Sequence, residues 1–261
     1  MSMHNSALVG SSGFVGSVLQ RQVEFAGLFR SSNIEEIGNA DWETVVCAAA
    51  PAAKWIANRE PEADLDNIKR LMANLQHVRC ERFVLISTVD VFSNSLGVDE
   101  SSAVEEEGLH SYGLHRRMLE QFVESEFRDH LIVRLPGLVG PGLKKNVIFD
   151  FLHNNELEKI DSRGVFQFYP MINLYRDLRT SIQAGLKLVH LTAEPVSVAE
   201  VAEEGFNRRF ENILGRDPAS YDMRSLHAQV FGGQGDYQYS KRESLQAIRA
   251  YAQSEPGKVV A

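Results

Sequence analysis

The sequence predicts an α/β protein with a Rossmann-like, doubly wound parallel sheet and a small C-terminal lobe. Short apolar runs alternate with helix-length segments through the first half of the chain, as strands and crossover helices do in such a sheet. A spaced set of glycines follows the first apolar run and opens a helix, as in folds that bind dinucleotides. Beyond residue 145 the pattern changes to mixed short strands and helices.

Five apolar runs are predicted to be strands buried on both faces of the sheet. They are "SALVG" at 6–10, "AGLFRS" at 26–31, "TVVCAAA" at 44–50, "RFVLIST" at 82–88 and "LIVRLPG" at 131–137. A helix is predicted to begin at Pro61, because proline suits the first turn and the neighbouring Glu60 and Glu62 suit the positive end of the helix dipole. The stretch "SYGLHRRMLEQF" at 111–122 predicts an amphipathic helix.

The second half contains a capping box at Ser197 and Glu200, which predicts the start of a helix. The other predicted elements are a helix in "VIFDFLHNN", an extended segment in "FQFYPMI", a helix in "LYRDLRTSIQAGL", a strand in "KLVHLT" and a final helix in "YSKRESLQAIRAYAQSE". We therefore predict a dinucleotide-binding Rossmann core at residues 1–145. Residues 146–261 are predicted to form a mixed α/β substrate lobe, with one strand or helix returning to the core.

Composition excludes several classes of partner. Of the 261 residues, 27 are Lys or Arg and 35 are Asp or Glu, which gives a formal charge of −8 and makes nucleic acid and anionic membranes poor partners. The 44% hydrophobic content supports a sizeable core. Cys47 and Cys80 do not have metal-ligand spacing, so we predict no metal site, no structural disulfide and a reducing, cytoplasmic location.

The glycines of "ALVGSSGFVGSVLQ" are the first candidate site. Gly10, Gly13 and Gly16 follow the first strand, and the residues between them complete the loop: Ser11, Ser12, Phe14 and Val15. Glycine lets the backbone approach a pyrophosphate, whose charge the N–H groups at the helix N-terminus then hold. The alternative is a turn of small residues that only packs a helix on a strand, and the position between strand and helix favours dinucleotide binding.

The end of the second strand predicts the type of dinucleotide. An acid that binds the ribose of NAD is expected about 20 residues after the glycines. The sequence instead has "LFRSSN", with no acid before Glu35. Arg30 and the adjacent Ser31 suit the 2′-phosphate of NADP, so NADP is predicted, with NAD as the alternative.

Five motifs in this order resemble those of the extended short-chain dehydrogenases/reductases. They are the glycine loop, "AAA" at the end of a buried strand, "ISTVDVF", "YGLHR" and "RLPGLVGPG". More narrowly, the chain resembles the NAD(P)-dependent epimerase/dehydratase family acting on nucleotide sugars, with the compactness of its short reductases. The resemblance covers roughly residues 5 to 205. It implies a nicotinamide-dependent enzyme that transfers hydride to or from a nucleotide-linked sugar or a similar keto or hydroxy compound.

The resemblance also implies roles for particular residues. Tyr112 matches the catalytic tyrosine of the Y-x-x-x-K motif, and Thr88 matches the catalytic Ser or Thr of the family. Ala48, Ala49 and Ala50 match the strand end that lies along the cofactor, and Pro136 matches the segment against the nicotinamide. Val89 separates Thr88 from Asp90, so the family's dehydratase pattern is not matched and reduction or epimerisation is favoured.

Arg116 stands where the family has its motif lysine. At spacing i, i+4 on a helix its charge is expected near the phenol of Tyr112, where a cation favours the ionised form. Arginine and lysine are not equivalent at a positioned site, however. Three outcomes stay open: Arg116 acts with slower turnover, His115 or Lys54 contributes instead, or the protein binds cofactor with weak or no catalysis.

Contacts to the substrate are expected from the second half of the chain. The candidates are Asn146, Gln167, Tyr169 and Arg176, of which Arg176 is preferred because a diphosphate needs a cation. Packing is an equal interpretation of Tyr169, and a solvated helix surface is an alternative for Arg176. Proteins of this fold often pair through the helices that follow the fourth strand, so a homodimer is one expectation.

Overall fold

The computed structural model describes residues 5–257, and the predicted strands and helices are present in it. The strands are β1 Ser6–Val9, β2 Gly27–Phe29, β3 Asp41–Cys47, β4 Arg79–Thr88, β5 Leu96–Val98, β6 His130–Leu135, β7 Gly137–Val139, β8 Val165–Phe166, β9 Phe168–Pro170, β10 Leu188–His190, β11 Val196–Ser197 and β12 Asp222–Met223. The helices are α1 Phe14–Gln22, α2 Lys54–Arg59, α3 Pro61–Leu75, α4 Ser111–Glu126, α5 Val147–His153, α6 Leu174–Gln183, α7 Val198–Glu200 and α8 Lys241–Ser254.

A six-stranded sheet has the strand order β10-β6-β4-β3-β1-β2. Strand β1 pairs in parallel with β2 on one side and with β3 on the other, and β3 pairs in parallel with β4. The strand order therefore reverses at β1, which is where open α/β sheets bind ligands, outside the carboxyl ends of the strands. Val9 is in register with Phe29 and Cys47, so the carboxyl ends of β1, β2 and β3 lie at one edge.

The sheet is buried as its apolar runs predict. All four residues of β1 are buried, and so are Val45, Val46 and Cys47 of β3. Helix α3 begins with Pro61 at its first position and acids in its first turn, as predicted. The Ser197–Glu200 capping box is also present, and a second one at Ser240 and Glu243 begins α8.

The chain forms two compact units. Unit 1 comprises the described residues up to Asn94 together with Ser101–Arg134 and Tyr175–Val189. Unit 2 comprises Ser95–Glu100, Leu135–Leu174 and the described residues from His190 onward. Whether residues 1–145 bind a dinucleotide and 146–261 a substrate stays a prediction.

Unit 2 contains three two-stranded sheets. Strand β11 pairs antiparallel with β8, whereas β12 pairs in parallel with β5, and β7 with β9. Within residues 5–257, none of the helices has the length and apolar character that a bilayer crossing requires. Both cysteines are free thiols, and burial raises the pKa of each to about 12.

Candidate active site

The glycine loop joins β1 to α1 at the edge where the strand order reverses. Gly10 has φ +85°, and a Cβ on it would lie 2.5 Å from the carbonyl oxygen of Ala48. A Cβ on Gly16 would overlap the carbonyl oxygen of Gly10. These two glycines are therefore required by the chain's own close packing. Gly13 is exposed, and its neighbours Ser12, Phe14 and Val15 are exposed or half-buried.

The first turn of α1 provides the features that an anion needs. Gly13 is the N-cap, no side chain caps this end of the helix, and no acidic residue stands in the first turn. Backbone N–H groups at a helix N-terminus favour negative charge through their orientation and through the helix dipole. The carbonyl of Ser11 accepts a hydrogen bond from Nε2 of Gln20, at 2.5 Å, which ties the loop to the helix. The loop therefore fits a phosphate group.

The loop after β2 lies directly against the glycine loop. The N–H groups of Gly10 and Ser11 donate to the carbonyl oxygen of Phe29, at 2.8 and 3.1 Å. Arg30 and Ser31 follow and are exposed, and the N–H of Arg30 donates to Oδ1 of Asn33, at 2.9 Å. A guanidinium at this place suits a phosphate on the ribose.

The alanines after β3 complete this edge. The N–H of Ala48 donates to the carbonyl oxygen of Val9, at 2.9 Å, so the strand pairing continues into the loop. Ala48, Ala49 and Ala50 are all half-buried.

The side chains of Thr88 and Tyr112 lie close together, as their predicted roles require. Thr88 is the last residue of β4, and Tyr112 lies in the first turn of α4 with 8% of its surface exposed. The Thr88 hydroxyl lies close enough to the Tyr112 phenol to lower its pKa. The backbone N–H of Tyr112 donates to Oδ1 of Asn58, at 2.9 Å, and this bond anchors the start of α4 to α2. A hydroxyl pair of this kind can polarise a carbonyl or hydroxyl oxygen.

Arg116 is buried and held by a carboxylate. Its two terminal nitrogens donate to both carboxylate oxygens of Asp64, and the Nη2–Oδ1 distance is 2.9 Å. Nη2 also donates to the carbonyl oxygen of Pro51. The guanidinium carbon lies 4.0 Å from the centre of the Tyr112 ring, so the cation stacks on the face of the ring. Arg116 is 2% exposed and Asp64 is 5% exposed.

His115 shares the same carboxylate. Its Nδ1 lies 2.7 Å from Oδ2 of Asp64, and its ring is buried. Burial raises the pKa of Asp64, but the hydrogen bonds and charges of Arg116 and His115 outweigh burial and lower it. Asp64 is therefore a carboxylate at neutral pH, and it neutralises the cation at the motif position.

The pKa of the Tyr112 phenol is raised. Burial is the largest cause, and the charge of Asp90 adds to it. The charges of Arg116 and Lys54 and the hydrogen bond with Thr88 act in the opposite direction. The lowering that the sequence predicts for Arg116 is thus present, but the desolvation of the phenol exceeds it.

Lys54 and Asp90 form a second ion pair close to Tyr112. Nζ of Lys54 lies 2.6 Å from Oδ1 of Asp90, and the two side chains are 38% and 18% exposed. Lys54 is the first residue of α2, and Asp90 lies in the 3₁₀ turn Val89–Val91 that follows Thr88. This pair is in contact with solvent, unlike the pair between Arg116 and Asp64.

The remaining predicted residues are placed as follows. Pro136 and Asn146 are half-buried in unit 2, where Asn146 is the N-cap of α5 and its Nδ2 donates to the carbonyl oxygen of Leu138, at 2.9 Å. Arg176 is exposed on α6. It was expected in the C-terminal lobe, but α6 belongs to unit 1 because it leads into β10 at the edge of the sheet.

Gln167 and Tyr169 are enclosed within unit 2. Nε2 of Gln167 donates to Oγ1 of Thr192 and to the carbonyl oxygens of Ala193 and Met223, all within 2.7–2.8 Å. Its Oε1 accepts from the N–H of Met223, at 2.7 Å. Tyr169 is fully buried, with its ring edge-on to Tyr239. These contacts favour the packing interpretation of Tyr169 and leave the Gln167 amide without a spare hydrogen for a substrate.

Sequence reasoning missed two carboxylates. Asp64 lies in the first turn of α3, where an acid suits the helix dipole, and no local sequence pattern pairs it with a residue 52 positions away. Asp90 was considered only as a mismatch to the dehydratase pattern. An arginine in place of the motif lysine is the one signal in the sequence that a new buried carboxylate is required nearby.

The fold is similar to that of several solved enzymes that act on nucleotide sugars. Similar structures include the UDP-N-acetylglucosamine 4-epimerase from Methanobrevibacter ruminantium in complex with UDP-N-acetylmuramic acid, with TM-score 0.74, 14% identity and coverage of 97% of this chain and 98% of that one. The dTDP-4-dehydrorhamnose reductase from Bacillus anthracis in complex with NADP has TM-score 0.73 and 16% identity, and the coverage is 98% and 100%.

The Bordetella bronchiseptica enzyme WbmG in complex with NAD has TM-score 0.74 and 17% identity, with 96% of this chain and 94% of that one covered. These neighbours are crystallised with NADP or NAD. No protein-family model matches the chain. No curated protein matches it in sequence.

Proposed function

We propose that this protein is an NAD(P)-dependent oxidoreductase or epimerase acting on a nucleotide-linked sugar or a similar keto or hydroxy compound. The observation that carries the proposal is that the end of β4 at Thr88 and the first turn of α4 at Tyr112 lie together, in the same unit as the open N-terminus of α1. The similar fold of epimerases and reductases that act on nucleotide sugars supports it.

The cofactor would be held by the sheet edge described above. The N–H groups that follow Gly13 would bind its pyrophosphate, and Ala48 to Ala50 would line its path. Arg30 and Ser31 favour NADP over NAD, since both are exposed at the end of β2. The nicotinamide would supply or accept the hydride.

Tyr112 would act as general acid in reduction and as general base in oxidation. Thr88 would orient the substrate oxygen toward the phenol through a second hydrogen bond. The raised pKa of Tyr112 keeps the phenol protonated at neutral pH, which suits donation of a proton to a reduced carbonyl.

A second candidate is a cofactor-binding protein with weak or no catalysis. The observation that favours it is the capture of Arg116 by Asp64, because the motif cation is then bound to a buried carboxylate. Substrate binding by Asn146, Gln167, Tyr169 and Arg176 stays a prediction, and so does the contact of Pro136 with the nicotinamide. A homodimer and a cytoplasmic location stay predictions as well.

The test is turnover of NADPH and NADH with nucleotide keto-sugars, simple aldehydes and simple ketones. We expect turnover with a keto-sugar nucleotide, loss of that turnover in Tyr112→Phe, and unchanged cofactor affinity by calorimetry. Tyr251→Phe is the matched control, because Tyr251 is 3% exposed and also loses one hydroxyl. In Arg30→Ser the affinity for NADPH should fall while that for NADH stays constant.

Each outcome separates the candidates. Tight cofactor binding without turnover of any carbonyl favours the second candidate. Turnover that survives Tyr112→Phe removes the proposed role of the tyrosine, and failure to bind either dinucleotide overturns both candidates.

A further inference from the structure

The charge of Arg116 is fixed in this protein. A guanidinium is always protonated, and this one is bound on two sides by Asp64 and Pro51 and stacked on the Tyr112 ring. It cannot move toward a ligand without leaving Asp64 as an uncompensated buried carboxylate. The adjustable part of the electrostatic environment of Tyr112 must therefore lie elsewhere.

Lys54 and Asp90 have the required position. The backbone N–H of Asp90 donates to Oγ1 of Thr88, at 3.2 Å, and the Thr88 hydroxyl lies beside the phenol and lowers its pKa. The first turn of α4 lies directly on the Asp90 backbone, since a Cβ on Gly113 would overlap the Asp90 carbonyl oxygen. Nζ of Lys54 lies 2.6 Å from Oδ1 of the Asp90 carboxylate. Asp90 thus lies two residues after Thr88, and its backbone packs against Gly113, the residue that follows Tyr112.

The other charged and titratable groups around Tyr112 are His110, Arg116, Asp64 and His115. The His110 ring lies 6.3 Å from the Tyr112 ring and accepts the N–H of Gly113 on Nδ1, at 3.0 Å, so it caps the helix. Burial and the charge of Lys54 lower the pKa of His110, which keeps this ring neutral. Arg116 lies on the ring face of Tyr112, and Asp64 and His115 lie behind it. Among the described residues, Lys54 and Asp90 are the charges near Tyr112 that also reach solvent.

We propose that the Lys54–Asp90 pair controls the proton affinity of Tyr112, with the carboxylate holding the proton on the phenol and the ammonium favouring its release. The proposal rests on the proposed function in taking Tyr112 as the acid–base group. It adds that Lys54 and Asp90 are positioning residues, which act on the phenol through charge and through Thr88. The electrostatic part of the motif lysine's role passes to Lys54, the first residue of α2, rather than to a residue of α4.

Titration of Tyr112 in the full-length protein tests this without cofactor or substrate. Tyrosine labelled with ¹³C at Cζ reports ionisation by NMR, and the Tyr112 signal is the one lost in Tyr112→Phe. We expect Asp90→Asn to move the titration midpoint down by about one pH unit, since a nearby like charge is removed. Lys54→Met should move it up, and Lys54→Arg should return it close to the wild-type value.

Lys187→Met is the matched control. Lys187 forms an equally short ion pair with Asp129, at 2.6 Å. Neither Lys187 nor Asp129 is among the causes of the raised pKa of Tyr112. This variant should leave the Tyr112 midpoint in place. Asp90→Asn is the decisive arm, because it brings the transition toward neutral pH, where the protein is folded. Circular dichroism across the same range checks the fold of each variant.

The proposal is overturned if Asp90→Asn leaves the midpoint within the range of the Lys187→Met control or raises it. It is also overturned if the Lys54→Met and Lys54→Arg variants behave alike. These results do not depend on turnover. An absence of turnover or of cofactor binding counts against the proposed function alone, whereas an unmoved titration in an active enzyme counts against this inference alone.

Discussion

Two pairs of carboxylate and cation act on Tyr112, and they differ in their access to water. Arg116 and Asp64 are 2% and 5% exposed, whereas Lys54 and Asp90 are 38% and 18% exposed. When a buried ion pair loses one partner, the remaining charge is left in a medium that solvates it poorly. When an exposed pair loses one partner, water solvates the remaining charge. We infer that the first pair fixes the position of α4 and that the second leaves the charge near the phenol adjustable.

The largest expected effect is on stability, in Asp64→Asn. The change leaves the Arg116 guanidinium buried without a counter-charge, and the free energy of unfolding should fall by about 3–5 kcal/mol. Urea denaturation followed by circular dichroism measures it. Asp129→Asn is the control, because Asp129 is 40% exposed in its pairs with Arg82 and Lys187 and should cost only about 0–1 kcal/mol. Equal losses in the two variants would contradict the distinction between the pairs.

A smaller effect is expected from Arg116→Lys, which restores the family's motif. One ammonium replaces a guanidinium whose separate nitrogens reach Asp64 and the carbonyl of Pro51, so the free energy of unfolding should fall by about 1–3 kcal/mol. Turnover should not rise, because Asp64 would bind the ammonium as it binds the guanidinium. Kinetics with the best carbonyl substrate measure this. A gain in kcat at unchanged stability would mean that position 116 serves the reacting groups directly.

The smallest effect on stability is expected in Lys54→Met. Removal of a half-exposed lysine should change the free energy of unfolding by only about 0–1 kcal/mol, because water solvates Asp90 when its partner is lost. The same urea denaturation measures it. A loss as large as that of Asp64→Asn would show that the second pair is structural, and would remove the basis for calling it adjustable.

The sequence predicted the strands well because their signal is local. Each run of buried apolar residues, such as "RFVLIST" at 82–88, marks a strand without reference to the rest of the chain. The meeting of Thr88 and Tyr112 was expected from the resemblance to a family with the same order of motifs. Asp64 could not be predicted, since its partner is 52 residues away and its position at the start of α3 has a sufficient local explanation.

The buried amide of Gln167 in unit 2 could not be predicted for the same reason. Gln167 was proposed as a polar contact to the substrate because of its place in the predicted C-terminal lobe. Its amide instead joins Thr192, Ala193 and Met223, which no sequence pattern links to it. Hydrogen bonds between segments far apart in the chain decide whether a polar side chain faces a ligand or the interior.

The order in which the sheet acquires its strands also affects synthesis. Strand β10 closes one edge of the sheet next to β6, yet it is separated from β6 by Leu135–Leu174, which belongs to the other unit. A ribosome must therefore complete much of unit 2 before unit 1 can receive its last strand. Unit 1 cannot finish folding first during translation, and a fragment ending at residue 145 would present β6 as an open edge, which is a site for aggregation.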